Sequence, residues 1–142
     1  MADLRDLGRN MRVTARAVGD NATAAVREVS EKVGVTVVYG TPVDTSRARM
    51  NWQGSVGEPA QGVLAPYPSQ PAGPNDGPRV AIASIRAATA DYDGQKDGVF
   101  ITNNLDYIQD LNNGSSSQAP ADFVAQAVLV GARAASKVKI LP

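Results

Sequence analysis

DLRDLGRNMRVTARAVGDNATAAVREVSEKVGVTVV, residues 3–38, decides the fold. Leu4, Leu7, Met11, Ala15, Val18, Ala22, Val26, Val29, Val33 and Val37 recur every three or four positions, so they share one face of a single helix. Asp3 stands where an N-cap is wanted, and Asp6 puts negative charge in the first turn, where the helix dipole favours it. Gly8, Gly19 and Gly34 each cost about 1 kcal/mol relative to Ala. Val35 to Tyr39 is β-branched enough to suit a strand. The unbroken stripe outweighs both and predicts one long amphipathic helix. At 1.5 Å per residue it is on the order of 50 Å long, whereas a single domain of this size is only about 30 Å across. Part of the stripe must therefore be covered from outside the domain, most simply by a neighbouring subunit.

The rest of the chain reads as shorter elements. Pro42 pushes Thr41 out of helical geometry and ends the helix. In TPVDTSRARMNW, residues 41–52, Asp44 or Thr45 is placed to cap a turn, and the remainder alternates into Trp52 as a short strand would. Residues 53–78 hold six of the nine prolines, a density that predicts an extended loop with no regular element. Residues 79–91 return to helical spacing through Val80, Ala83, Ala87 and Ala90, with Ile82 and Ile85 nearby. GVFIT, 98–102, predicts a short buried strand, and 106–111 one or two helical turns ended by Asn113-Gly114. Pro120 suits the first position of a last helix over 121 to about 138, with Phe123, Ala127, Val130, Ala134 and Val138 on one face. The expected class is α+β: a long N-terminal helix, a small β-sheet, and further packed helices including a C-terminal one.

Composition narrows the chemistry. The 142 residues contain no Cys and no His. Disulfides, thiolate nucleophiles, Ser-His-Asp triads and the commonest transition-metal ligand are all absent. Ser115, Ser116 and Ser117 therefore lack an activating base and read as turn residues beside Asn113-Gly114. No phosphate-cradling glycine motif occurs. Asp91, Asp93, Asp97, Asp106 and Asp110 offer carboxylate pairs for hydrolysis or Ca²⁺, but they lack a discrete acid and base and the alternating ligands of a calcium loop. They read as solvated loop residues. The Asn-x-Thr/Ser triplets at 21–23 and 113–115 are chance matches, because MADLRDLGRNMR lacks the apolar centre of a signal peptide. No apolar run approaches the ~20 residues that span a bilayer, so no membrane partner is expected.

Formal charge sums to zero but is uneven along the chain. Residues 91–122 carry a net of −5, and the last twenty residues, with Arg133, Lys137 and Lys139, a net of +3. A neutral total argues against bulk nucleic-acid binding, whereas uneven charge suits copies meeting head to tail. Arg47 and Arg49 closely precede Trp52; on a strand they would share a face, either to meet phosphate or a neighbour's carboxylate, or simply to face solvent.

Two blocks, TPVDTSRARMNW and ITNNLDYIQDLNNGSSSQAPADFVAQAV, resemble the tail-completion or neck proteins of long-tailed double-stranded DNA phages, related to the lambda minor tail protein Z. Thr41, Pro42, Val43, Asp44, Thr45, Arg47, Arg49 and Trp52 fit the first motif. Thr102, Asn103, Asn104, Tyr107, Leu111, Asn112, Gly114, Ser115, Gln118, Ala119 and Pro120 fit the second. Ser46 departs from the Gly usual there, which sets the geometry of that turn at odds with a side chain that resists positive φ. The resemblance implies one neck domain over 1–142, with its helix within 1–38 and its loop at 53–78. It implies a virion structural protein at the head–tail junction, with no enzymatic role and no cofactor. Such a protein is made in the host cytoplasm and acts in a homo-oligomeric ring, most often six-fold, with other neck and tail proteins and with double-stranded DNA passing through the channel. Tail terminator and head-closure roles at the same junction are the neighbouring alternatives. The resemblance also implies that Tyr107 and Leu111 anchor a joint at 112–118 lying at or near a subunit contact.

Overall fold

The computed structural model describes residues 3–43, 46–64, 76–117 and 121–142. Asp44, Thr45, Gln118, Ala119, Pro120 and the stretch 65–75 lie outside the described residues, and with them the expected Asp44/Thr45 cap and most of the proline-rich segment.

One helix, α1 (Leu4–Gly40), dominates at 37 residues. Asp3 is the N-cap as expected, and Asp6 goes further by completing a capping box: the Asp3 carboxylate accepts from the Arg5 and Asp6 amides at 2.8 and 2.9 Å, and Asp6 accepts from the Asp3 amide at 3.4 Å. The β-branched run before Gly40 stays helical because Val37 and Val38 bury there, which outweighs their weak strand preference. Thr41 is extended, at φ −70° and ψ 131°, ahead of Pro42.

A single helical turn, α2 (Arg47–Met50), stands where a short strand was expected. Two local features account for the difference. Ser46 sits in the left-handed region at φ 61°, the positive φ that a Gly would adopt without cost, and turns the chain sharply. Asn51 then closes the turn, its side-chain amide donating to the Arg47 carbonyl at 2.9 Å. Arg47 and Arg49 consequently do not share a strand face.

Strand β1 (Gln53–Val56) pairs antiparallel with β2 (Val99–Thr102), in the register Gln53↔Thr102, Gly54↔Ile101, Ser55↔Phe100 and Val56↔Val99. β1 falls in a stretch expected to hold no regular element; pairing with β2 supplies what local propensity lacks. β2 is half-buried throughout, not buried as expected, because only one face of a two-stranded ribbon is covered. Helix α3 (Asp76–Asp91) starts earlier than expected and presents a different face. Ala81, Ile82, Ile85 and Ala88 are buried, while Val80, Ala83, Ala87 and Ala90 lie outward. The two Ile side chains carry more apolar area than three Ala, so they choose the buried side.

A short helix, α4 (Ile108–Asn112), precedes the turn at Gly114, whose φ is 96°. Helix α5 (Phe123–Ser136) begins three residues beyond Pro120, not at it, with Asp122 as N-cap at φ 62°. Its inward face is the expected one, with Phe123, Ala127 and Ala134 buried and Val130 half-buried.

The core gathers where the C-terminal half of α1 meets α3, α5 and Trp52: Val37, Val38, Trp52, Ala81, Ile82, Ile85, Phe123 and Ala127. α5 lies on the apolar stripe of α1, with Gly131 against Val33 and Val29; α3 lies on an adjoining face, with Gly34 against Ile85. Both crossings need glycine, because a Cβ at Gly34 would come 2.6 Å from Ile85 Cγ2.

Candidate assembly surface

The two motif blocks meet in a hydrogen-bonded knot at the C-terminal end of α1. The Thr41 hydroxyl, fully buried, donates to the Val37 carbonyl at 2.7 Å and accepts from the Trp52 indole Nε1 at 2.8 Å. Arg49 Nε donates to the Thr41 carbonyl at 2.7 Å and its NH2 to the Tyr39 carbonyl at 2.9 Å, so one planar fork holds two end carbonyls of α1. Burial lowers the Arg49 pKa from its ordinary value, against a smaller opposing pull from Tyr39, whose ring centroid lies 6.0 Å from the guanidinium carbon. The group remains cationic.

Asn103 stitches the second block to the first, Asn104 ties it to the segment after β1, and Asn112 ties α4 to α5. Asn103 donates to the Ala48 carbonyl at 2.8 Å and accepts from the Leu105 amide at 3.2 Å. Asn104 donates to the Ala60 and Gly62 carbonyls at 2.8 and 3.0 Å. Asn112 accepts from the Val124 amide at 3.0 Å, opening α5, and its carbonyl accepts from the Asp122 amide at 2.7 Å. Leu111 packs on the core, and Thr102 ends β2. Tyr107 is half-buried at the start of α4, Pro42 is buried and Val43 half-buried, and Gly114 and Ser115 are exposed. Among the described motif residues, Thr41, Arg49, Asn103, Asn104 and Asn112 thus bind the chain's own backbone. Arg47 is the motif's exposed cation.

Beside this knot is an open groove of about 290 Å³, lined by Trp52, Ile108, Gln109, Asn112, Asn113 and Val124. Asp106, Asp110 and Asp122, all exposed, belong to the same segments.

A second surface occupies the opposite end of α1. From Leu4 to Arg16 every residue except Asp6 and Gly8 is exposed. Among the described residues, the tertiary hydrogen bond nearest this tip is from Asn21 to the Ile140 carbonyl, at 2.9 Å. Among the described residues nothing packs on the first four turns of α1, which form an arm about 20 Å long. Leu4 is 86% exposed, Leu7 54% and Met11 64%, and they continue the stripe that α5 covers further along. Covering these side chains would contribute about 1.5–3 kcal/mol each. At 100° per residue Arg5, Arg9, Arg12 and Arg16 fall within about 60° of one another, a basic stripe beside the apolar one. Arg9 alone of these has a carboxylate partner among the described residues, Asp6 at 3.4 Å, an exposed and weak pair. The apolar stripe and its need for a cover were legible in the sequence. The arginine stripe was missed, although its spacing of four, three and four residues carried the signal.

Among the described residues no helix is long and apolar enough to cross a membrane, and no group of three or more Asp or Glu is placed to hold a metal ion. No protein-family model matches the chain, and neither does any curated protein or solved structure.

Proposed function

We propose that this chain is a structural component of a phage neck: a tail-completion ring subunit that finishes the tail tube and helps join tail to head. The observation that carries the reading is the arm of α1, an end-capped helix whose apolar stripe is covered by nothing among the described residues. A cap that satisfies the terminal amides and a stripe that stays uncovered are what a subunit needs when its neighbour completes it. The motif resemblance supplies the setting. The knot of Thr41, Arg49, Trp52 and Asn103 supports it, since it gives the two blocks a shared task in fixing the far end of the helix. Terminator and head-closure roles at the same junction would use the same kind of ring. The test is a reconstruction of the neck in particles of a phage that encodes this chain. Ring density that fits the long helix and the helices on it is the expected result; particles lacking the protein would overturn the proposal.

The arginine stripe favours one second reading, contact with duplex DNA. Fluorescence anisotropy with a duplex across a salt series tests it: phosphate binding through four cations must weaken by orders of magnitude between low and high salt. Binding that is absent, or indifferent to salt, overturns this second reading.

A further inference from the structure

We infer that the arm of one copy of this chain seats in the Trp52 groove of the next copy, so that the two ends of α1 form a head-to-tail joint. This inference rests on the self-association within the proposed function. Four observations carry it.

The arm cannot reach its own groove. Trp52 is bonded to Thr41, thirty residues beyond Met11 along an almost continuous helix, a distance of about 45 Å. A contact between them is therefore between molecules, and because it joins opposite ends it is heterologous. Charge also selects this acceptor. The arm presents Arg9, Arg12 and Arg16, and the segments that supply the groove's lining carry three exposed carboxylates, Asp106, Asp110 and Asp122, none of which has an ion-pair partner among the described residues. The competing apolar patch, Val128 and Leu129 on α5, is followed by Arg133, Lys137 and Lys139 and would repel the arm.

Size and surface chemistry agree. At about 290 Å³ the groove lies at the floor of the range for small-molecule sites, so it suits a few side chains from one helix face more than an enclosed ligand. Trp52, Ile108 and Val124 give it an apolar floor, and Gln109, Asn112 and Asn113 a polar rim, the arrangement of a helix-in-groove contact. Finally, the groove has a fixed shape. The Trp52 indole is held by Thr41, and Asn112 binds the amide of Val124, so little ordering remains to oppose binding.

The chain has no cysteine, which makes disulfide trapping clean. Met11→Cys and Gln109→Cys are made separately in the full chain, mixed, and oxidised in air, with Gln95→Cys as an exposed control on another loop. The expected product is a covalent dimer containing one of each variant, with neither variant linking to itself. Self-linking of Met11→Cys means that arms pair with arms, and overturns the inference. So does an unlinked mixture, whether light scattering finds oligomers or single chains. In parallel, Arg9→Glu with Arg12→Glu, and Asp106→Arg with Asp110→Arg, should each weaken association at least ~10-fold, and mixing the two reversed proteins should restore it. Loss without restoration, or loss of duplex DNA binding with association intact, overturns the inference. Failure of any of these leaves the neck reading to be decided by the particles, where presence or absence of the protein is read independently.

Discussion

Replacing Thr41 with Val should destabilise the chain by about 2 kcal/mol, and the source of that cost is specific. Thr41 is fully buried and 7% of Trp52 is exposed, so no water replaces the hydroxyl that accepts the indole Nε1 proton at 2.8 Å. Valine has nearly the same shape, so almost no cavity forms. What is lost is an acceptor, which strands a buried donor at about 1–3 kcal/mol. The Val37 carbonyl keeps a partner, because the Thr41 amide still donates to it at 3.1 Å. Trp52 is the only tryptophan in the chain, so its emission follows both unfolding and the local change. With an m-value of about 2 kcal/mol/M in urea, the midpoint should fall by about 1 M. Thr41→Ser is the control: it keeps the hydroxyl and removes one methyl, costing about 1 kcal/mol. A double-mutant cycle with Trp52→Phe, followed by circular dichroism, should give a coupling of about 1 kcal/mol. If Thr41→Val is no worse than Thr41→Ser, or the coupling is zero, the indole–hydroxyl bond is not what closes the end of α1.

Gly54→Ala should cost about 1–3 kcal/mol, because its Cβ would lie 2.6 Å from the Ile85 Cα and 2.9 Å from the Ser84 carbonyl, backbone atoms that cannot rotate away; a thermal melt unchanged from the parent would contradict that close approach. Ser46→Gly should instead raise Tm by about 2–3 °C, since it relieves a left-handed serine whose hydroxyl makes no capping bond. A lower Tm would show that the strain at Ser46 is compensated. Arg49→Lys should lose about 1–2 kcal/mol, because an ammonium cannot hold the Thr41 and Tyr39 carbonyls as the fork does, and denaturation in urea reads the difference.

Sequence periodicity was sufficient where apolar residues were large and evenly spaced. α1 came through almost to its ends, caps included, because valine and leucine at every third or fourth position leave one solution. α3 was found as a helix but turned to the wrong side, since a regular row of alanines imitates a buried stripe while Ile82 and Ile85 decide burial by area. The strand expected after Asp44 failed for a different reason: alternation was read through a position where Ser46 reverses the chain and Asn51 closes a helical turn, and neither event has a hydrophobic signature. β1 was hidden among prolines and glycines because its hydrogen bonds come from a partner more than forty residues away. Among motif residues, Asn103, Asn104 and Asn112 looked like contacts for another molecule. Each is engaged with the chain's own backbone, which spacing along a sequence does not disclose.

That inward engagement divides the molecule into two jobs. A polar side chain already bound to backbone has few donors left for a partner, so in the proposed joint recognition would fall to the arm and to the apolar floor of the groove, to which the motif contributes Trp52 itself. The motif then acts by fixing geometry. Thr41 and Arg49 bind the last carbonyls of α1, Trp52 is held by Thr41, and Trp52 forms part of the groove, so the groove is tied to the axis of the same helix whose other end is the arm. In the proposed joint, plug and socket on one rod would fix the rotation between successive copies, and that rotation would decide whether a heterologous joint closes into a ring or runs on as a filament. Stability and association are separable under this arrangement. Changes at Thr41, Ser46 or Gly54 should act on folding free energy, changes at Arg9 or Asp110 on affinity in the proposed joint, and only a change that tilts the end of α1 should alter the number of copies that close.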